Sequence, residues 1–543
     1  MIQFFKWAGI ILGSLLLLIV ITGLILYFYY GGFGSQFPSG GKLSANQAKY
    51  DVHFYDINLE IDLEEEAISG NTTVLVSLKD ISLDTLELDL IDNFEISAIL
   101  INNKNRHFIH HDHKVLIPIQ DQNYLLNDIL TLKVDYSGQP PEALRPPWLG
   151  GFNWSKDSLE NHWVGVSCQG EGAKIWFPCK DHPSDEPDSA AINITVPADY
   201  FVASNGLLTN ESKPKPGYKT YHWFTGYPIN NYLINIGIGK YKIVQKEYVT
   251  AEGIKMPVVF YVLPEMQYGA DDLLEKAIDY LYSYRKYFGE YPWINEKLGL
   301  LNTDYAGMEH QTLIAYGNEY RFFTLDSLVF DKLLLHELGH EWWGNYITVG
   351  DWGDFWVQEG ICTYGEALYV LDKSGEEAYH KYMQFLAARI RNRTPIKSPP
   401  NTASDDAYSS DIYTKGAAFM HTLRYVLGDS VFFSTLKQFA TDSVFVSPRT
   451  VSTDDLLELV NKNSGKDWSD LFYLYLETTK LPKIKIDSLA VNQFAVSVPA
   501  IDFELPMDVY YDNKTEQLYL SKTPVTLKSA QRPIVDEKNW YLK

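Results

Sequence analysis

Residues His336-Glu337-Leu338-Gly339-His340, with Glu359 farther on, constrain this chain more than any other segment. A helix advances about 3.6 residues per turn, so side chains four apart share one face. The spacing predicts a helix that aims the His336 and His340 imidazoles at one point, with Glu337 beside them. Imidazole and carboxylate are zinc ligands, and a catalytic zinc keeps a position open for water. Two histidines, a general base between them and a later carboxylate therefore specify a zinc hydrolase site. Leu333, Leu334 and Leu335 lead into the motif as a buried helix would, and Asn345 and Gly350 read as its stop and turn. A second helix is expected from Phe355 to Leu371, with Glu359 near its start.

The 543 residues exceed one core, and two to four domains are expected. A net charge of −23 argues against nucleic-acid binding, which needs a basic footprint. Three cysteines, Cys168, Cys179 and Cys362, cannot form a disulfide framework, although one Cys168–Cys179 bridge is open to them.

Trp7 to Tyr30 carries no charge. At about 1.5 Å per residue it spans roughly 36 Å, enough for a bilayer. It is longer than the apolar core of a cleavable signal and ends in the aromatic belt Tyr27-Phe28-Tyr29-Tyr30. Residues 1–30 are therefore expected to be a transmembrane signal anchor, with Lys6 in the cytosol and everything from residue 31 outside. A cleaved signal is the alternative. Residues 31–47, rich in Gly and Ser, read as a flexible linker.

From Tyr50 the period becomes two. Tyr55, Ile57, Leu59, Ile61 and Leu63 alternate with polar residues, and Val74-Val76-Leu78 and Leu86-Leu88-Leu90 repeat the pattern. Residues 48–246 are expected to form a large antiparallel β domain. From Ala270 the period turns helical: Leu274, Ala277, Ile278, Leu281 and Tyr284 share a face that Gly289 and Pro292 end. Helices are expected to dominate residues 247–482, with late ones starting at Thr453-Asp454-Asp455 and running from Trp468 to Lys480. Alternation returns in residues 483–543, a small β domain that must pack on the helical one. The class is multidomain α+β. No pattern specifies an oligomeric state.

Water attack on a carbonyl at such a site also needs a donor for the oxyanion, and tyrosine, with a pKa near 10, suits it. Tyr413 and Tyr408 both qualify.

The stretch HELGHEWWGNYITVGDWGDFWVQEG resembles the zinc segment of the gluzincin aminopeptidases, which include aminopeptidase N and leukotriene hydrolase. Glu359 lies nineteen positions after His340, as the HExxH-x18-E signature of that family requires. Gly307-Met308-Glu309-His310 is similar to the family's GxMEN exopeptidase motif, and AYSSDIYTKG at 407–416 to its tyrosine segment. Cys168-Gln169 and FPCKD at 177–181 resemble an edge of its N-terminal β domain. The resemblance spans about residues 50–540.

It implies a thermolysin-like, mainly α catalytic domain and a zinc aminopeptidase acting on peptides with a free N-terminus. By resemblance, His336, His340 and Glu359 bind one Zn2+, Glu337 is general base and then acid, and Tyr413 stabilises the oxyanion. Glu309 binds the substrate amine with help from Gln169, and Gly307 and Met308 line the peptide through their backbone. Glu366 is placed either as an outer partner of the metal set or as an ordinary surface charge. His310 stands where most members have Asn, and is expected to reshape the pocket or add a pH-dependent charge near Glu309. The large helical C-terminal domain of many members has no counterpart before Lys543, so the site is expected to be more open or covered by a partner subunit.

Overall fold

The computed structural model describes residues 13–23, 34–120 and 124–543. The first region is a β structure of two main sheets. Its eight-stranded sheet centres on the strands Tyr50–Asp62, Ala67–Leu78 and Ile129–Gly138, paired antiparallel. Tyr50–Asp62 also pairs in parallel with Ser189–Pro197. Tyr55, Ile57, Leu59, Ile61 and Leu63 are all buried, so the period-two face is the core face. Each such side chain contributes on the order of 1.5–3 kcal/mol by leaving water.

The four-stranded sheet, in the order Phe201–Ser204, Ile236–Gly239, His162–Ser167 and Gly151–Lys156, faces the second region. Trp163 Nε1–H donates to the Asn302 carbonyl at 3.0 Å and the Tyr305 hydroxyl to the Val166 carbonyl at 2.9 Å. These bonds pin strand His162–Ser167, and so the Gln169 that follows it, against the chain carrying Glu309.

The second region is helical around a five-stranded mixed sheet that the sequence reading does not include. Its order is Lys242–Val249, Lys255–Val262, Leu298–Asn302, Ile314–Tyr316 and, at one edge, Gly307–Met308. The boundary expected at 246 thus falls inside a strand that hydrogen-bonds to this sheet. Helix Ala270–Phe288 ends at Gly289, whose φ of +93° suits glycine. The motif helix is Lys332–Gly339, capped by Asp331, whose carboxylate accepts from Leu334 N–H at 3.0 Å. It stops at Gly339, not at Asn345. The chain continues as turns in which Trp343 N–H reaches the Gly339 carbonyl and Asn345 N–H the His340 carbonyl.

The next helix, Trp356–Ala387, is two helices joined at Gly375, where φ is +77°. It crosses helix Ser410–Leu427 through Gly360 and Gly416. A Cβ on Gly360 would lie 2.8 Å from the Gly416 Cα. Only glycine permits that approach, and it sets Glu359 and Tyr413 on facing helices. The late helix Thr453–Ser464 carries a capping box from Ser452 and Asp455. The helix expected over Trp468–Lys480 is Ser469–Phe472 followed by a wider turn through Glu477. Ile396 and Lys397 N–H groups take the Leu476 carbonyl and divert it from helical bonding.

Residues 485–535 form two three-stranded sheets. The end of the chain docks on the helices, with Trp540 stacked on His421 at 4.5 Å and Tyr425 donating to Asp508 at 2.8 Å.

One further expectation is corrected, and one open possibility is closed. The segment 31–47 is not a free linker over its described part. Ser39 is buried; its N–H donates to the Gly170 carbonyl at 2.8 Å, and Ser404 N–H donates to the Ser39 carbonyl at 3.0 Å. Lys174 Nζ holds the Pro38 carbonyl at 3.1 Å. Backbone groups of this segment therefore tie the loop after Gln169 to the loop before Tyr408. The three cysteines are free and buried, so the Cys168–Cys179 bridge does not form. Residues 13–23 are helical, and no helix among the described residues is long and apolar enough to cross a membrane. Residues 7–12 and 24–30 of the expected span Trp7–Tyr30 lie outside the described residues.

Candidate active site

The i, i+4 spacing brings the motif histidines together as geometry requires. His336 Nε2 and His340 Nε2 are 3.2 Å apart, and each is 3.3 Å from Glu359 Oε2. Tetrahedral ligands about 2.0–2.1 Å from zinc stand roughly 3.3 Å from one another, so the three atoms fit such an ion. The other ring nitrogens are engaged. His336 Nδ1 meets Glu366 Oε1 at 2.9 Å and His340 Nδ1 meets the Trp343 carbonyl at 2.8 Å. Both Nδ1 atoms then carry hydrogen, and both Nε2 atoms face the shared point, where a metal would take their lone pairs in place of protons.

Glu366 is completely buried, which removes the surface-charge reading. It also accepts from the Tyr382 hydroxyl and faces Lys332 Nζ at 3.3 Å. Burial opposes charge on His336, but the Glu359 and Glu366 carboxylates carry its pKa up to about 9. Burial likewise works to raise Glu359, yet the imidazoles of His340 and His336 hold it down at about 2. The donor set is thus an anion facing two basic rings, and a cation arriving there displaces protons.

Glu337 lies on the same helix, and burial pushes its carboxyl up to about 7 against the pull of His336 and His340. That value suits a group that must both take and return a proton near neutrality. Its Oε1 stands 2.6 Å from where a Cβ on Gly307 would lie, so the glycine keeps the edge strand against this carboxyl.

Glu309, at the end of that edge strand, is buried, and burial raises its pKa. Gln169 Nε2 donates to its Oε1, and the Tyr232 hydroxyl lies 3.5 Å from the same oxygen. Glu309, Glu337 and His340 form a compact group, each offering an atom within 4.8 Å of the others. Met308 is buried beside Glu309.

The two tyrosine candidates meet. Tyr408 and Tyr413 hydroxyls are 3.3 Å apart, and the Tyr413 ring lies 5.7 Å from that of His336. Burial, then Glu359, raises the Tyr413 pKa far above its ordinary value, so it remains a donor.

His310 does not act as expected. It is fully buried, its Nδ1 takes Asn235 Nδ2 at 3.0 Å, and burial lowers its pKa to about 3. It stays neutral and is not among the residues lining the cleft.

Glu341, which the sequence reading omits, holds the site together. Buried, it accepts from Trp293 Nε1 at 2.8 Å, Thr312 N–H at 3.1 Å and Asn345 Nδ2 at 3.3 Å. Asn345 also donates to the Glu309 carbonyl at 2.9 Å. The only signal for Glu341 is its place directly after the motif. The cleft over these groups measures about 960 Å³ and is lined by all nine sequence-predicted site residues.

Two histidines from the motif helix and its end, facing a carboxylate from the next helix and, under an edge strand, the carboxylates of Glu337 and Glu309, define a metallopeptidase-type site. The Peptidase M1 N-terminal domain matches residues 52–233 and the Peptidase family M1 domain matches residues 273–475. The chain belongs to peptidase family M1. It is 24% identical over 498 residues to an aminopeptidase N of Lactococcus lactis subsp. lactis, covering 83% of this chain and 54% of that protein. It is 28% identical over 360 residues to the endoplasmic reticulum aminopeptidase 1 of Homo sapiens, covering 63% and 37%. The chain spans about half the length, or less, of these relatives. An M1 zinc metallopeptidase mutant from Deinococcus radiodurans, solved with a Tyr-Ser-Ala substrate, superposes with a TM-score of 0.68 at 24% identity. The match covers 82% of this chain and 97% of that one, and it shows the fold.

Proposed function

We propose that this chain is a zinc aminopeptidase that hydrolyses the first peptide bond of peptides bearing a free N-terminus. The observation that carries this reading is the meeting of Gln169 and Glu309 beside the His336, His340 and Glu359 donor set. Those three side chains would hold one zinc ion, which when bound supplies Lewis acidity and makes water nucleophilic near neutral pH.

Glu337 takes the proton of the attacking water and returns it to the leaving amine. Tyr413 donates to the oxygen that gains charge at the attacked carbonyl. Glu309 accepts the substrate ammonium, and Gln169 fixes the carboxylate that receives it. Gly307 and Met308 form a sheet edge, so the peptide adds as a further strand. Anchoring the amine registers only the first peptide bond over the metal. We read Trp7 to Tyr30 as a membrane anchor that leaves the catalytic region on the extracytoplasmic side.

Peptides with free and N-acetylated termini test the reading. Rates should collapse on acetylation. Undiminished cleavage of the blocked peptides would exclude an aminopeptidase and favour an endopeptidase on the same site.

A further inference from the structure

The cleft has two ends, and the edge strand gives them direction. At Glu309 lie Gln169 and Tyr232, the amine end. One residue pair back, Gly307 touches Glu337 and, at 2.9 Å from its would-be Cβ, Leu333 in the first turn of the motif helix. The same cavity is lined by Arg321, Lys332, Phe385 and Arg389, and Lys332 adjoins Leu333 at the start of the motif helix. A peptide whose amine sits at Glu309 must send its residues beyond the cut bond that way.

This far end is cationic. Arg389 lies 3.5 Å from the Phe385 ring centre and donates to the Phe385 carbonyl at 2.6 Å, so its guanidinium is held in place by a ring. Phe323 packs edge-on against the same ring at 4.9 Å. Arg321, two residues before Phe323, pairs with Glu319 on the surface and, among the described residues, with no other carboxylate. Lys332 pairs with Glu366 and keeps 39% of its side chain exposed. Among the described residues no carboxylate forms an ion pair with Arg389. Of the carboxylates lining the cleft, Glu309, Glu337 and Glu359 belong to the amine, base and metal groups and Asp405 lies beside Gly34 near the Gln169 loop; Glu366, which Lys332 shares with His336, is the one at this end. Three cations against the Glu366 and Glu319 carboxylates leave this end of the cleft net positive, in a chain of net charge −23.

We propose that Arg321, Lys332 and Arg389 form a carboxylate-binding subsite for the portion of the peptide released after cleavage. It recognises either the C-terminal carboxylate of a short peptide or an acidic side chain near the cut. This rests on the aminopeptidase reading above. Guanidinium groups pair with carboxylates through parallel N–H donors, and an exposed pair of this kind weakens with salt.

The test compares Leu-Gly-Gly with its C-terminal amide, Leu-Gly-Glu-amide with Leu-Gly-Gln-amide, and leucine p-nitroanilide as a substrate without the carboxylate. KM for the carboxylate-bearing member of at least one pair should be about tenfold lower. That preference should shrink between about 0.05 and 0.5 M salt. In R321Q/R389Q, with each peptide rate divided by the variant's own p-nitroanilide rate, the preference should fall toward one. The first pair reports a C-terminal carboxylate and the second a side chain. Equal KM within both pairs, with p-nitroanilide turned over, overturns the subsite; so does a preference that survives R321Q/R389Q. Failure to turn over p-nitroanilide or any free peptide overturns the aminopeptidase reading instead.

Discussion

Glu366→Gln isolates what a buried carboxylate does for a metal site it does not touch. Its two oxygens serve different partners: Oε1 takes His336 Nδ1–H at 2.9 Å, and Oε2 takes the Tyr382 hydroxyl and faces Lys332 Nζ at 3.3 Å. Glutamine keeps the volume but has one acceptor oxygen. If that oxygen faces His336, the amide N–H2 confronts the Lys332 ammonium. If it faces Lys332, the amide donates to Nδ1, and the imidazole must carry its hydrogen on Nε2, the atom that would bind zinc. Either arrangement loses one bond to a charged group inside the protein, worth about 1.5–3 kcal/mol. At about 1.4 kcal/mol per decade this weakens zinc binding roughly tenfold to a hundredfold.

Competition against a chelator of known affinity measures the zinc Kd directly. Activity should return when zinc saturates the variant, because Glu366 orients His336 and does not contact substrate. A Kd within about threefold of the parent would refute the argument, since the penalty derived above has no other place to appear. Activity that stays low at saturating zinc would also refute it, by making Glu366 part of the chemistry.

Tyr413→Phe should lower kcat by about 10²–10³ and leave KM nearly unchanged, because it removes a donor needed only as the oxyanion forms. Gly360→Ala places a methyl 2.8 Å from the Gly416 Cα and should cost about 1–3 kcal/mol by thermal unfolding, with weaker zinc binding as Glu359 shifts. Starting the chain at residue 42 in place of 34 removes the Ser39 and Pro38 bonds, and should lower the melting temperature by roughly 5–10 °C. Burial raises Glu186 to about 7, with Ser447 donating to it at 2.7 Å. Its folded pKa lies above the unfolded value near 4.5, so its stabilisation is complete below about pH 4.5 and is lost as pH rises through 7, about 3 kcal/mol in all. Denaturant titrations across that window should be flatter for Glu186→Gln.

What the sequence disclosed about this site follows the range of the interactions involved. His336, Glu337 and His340 are legible because one helical turn fixes their relation, and no distant residue has to be known. Glu359, Glu309, Gln169 and Tyr413 come from four other segments; chemistry makes Glu359 and Tyr413 candidates, but only resemblance to a family singles out Tyr413 over Tyr408 and names Glu309 and Gln169. Glu366 shows where both routes stop: seven residues after Glu359 it shares that helix face, but whether the face meets solvent or His336 depends on how the helix packs. The strand Lys255–Val262 is missed for a different reason. From Val258 to Val262 every residue is buried, so it has no polar alternation to mark it. Ser39 fails in the opposite direction. Its role runs through backbone N–H and C=O groups that every residue has, and Gly/Ser composition reports only that the chain is free to bend there, not that two loops are waiting to bond it. His310 makes the same point for charge: side-chain type predicts a titrating group, and complete burial beside Asn235 leaves a neutral one. The chemistry of a side chain is local, but whether it is used depends on the surroundings. The cations Arg321 and Arg389 are unremarkable in the sequence and become a substrate-binding hypothesis only because the fold puts both at one end of a cleft.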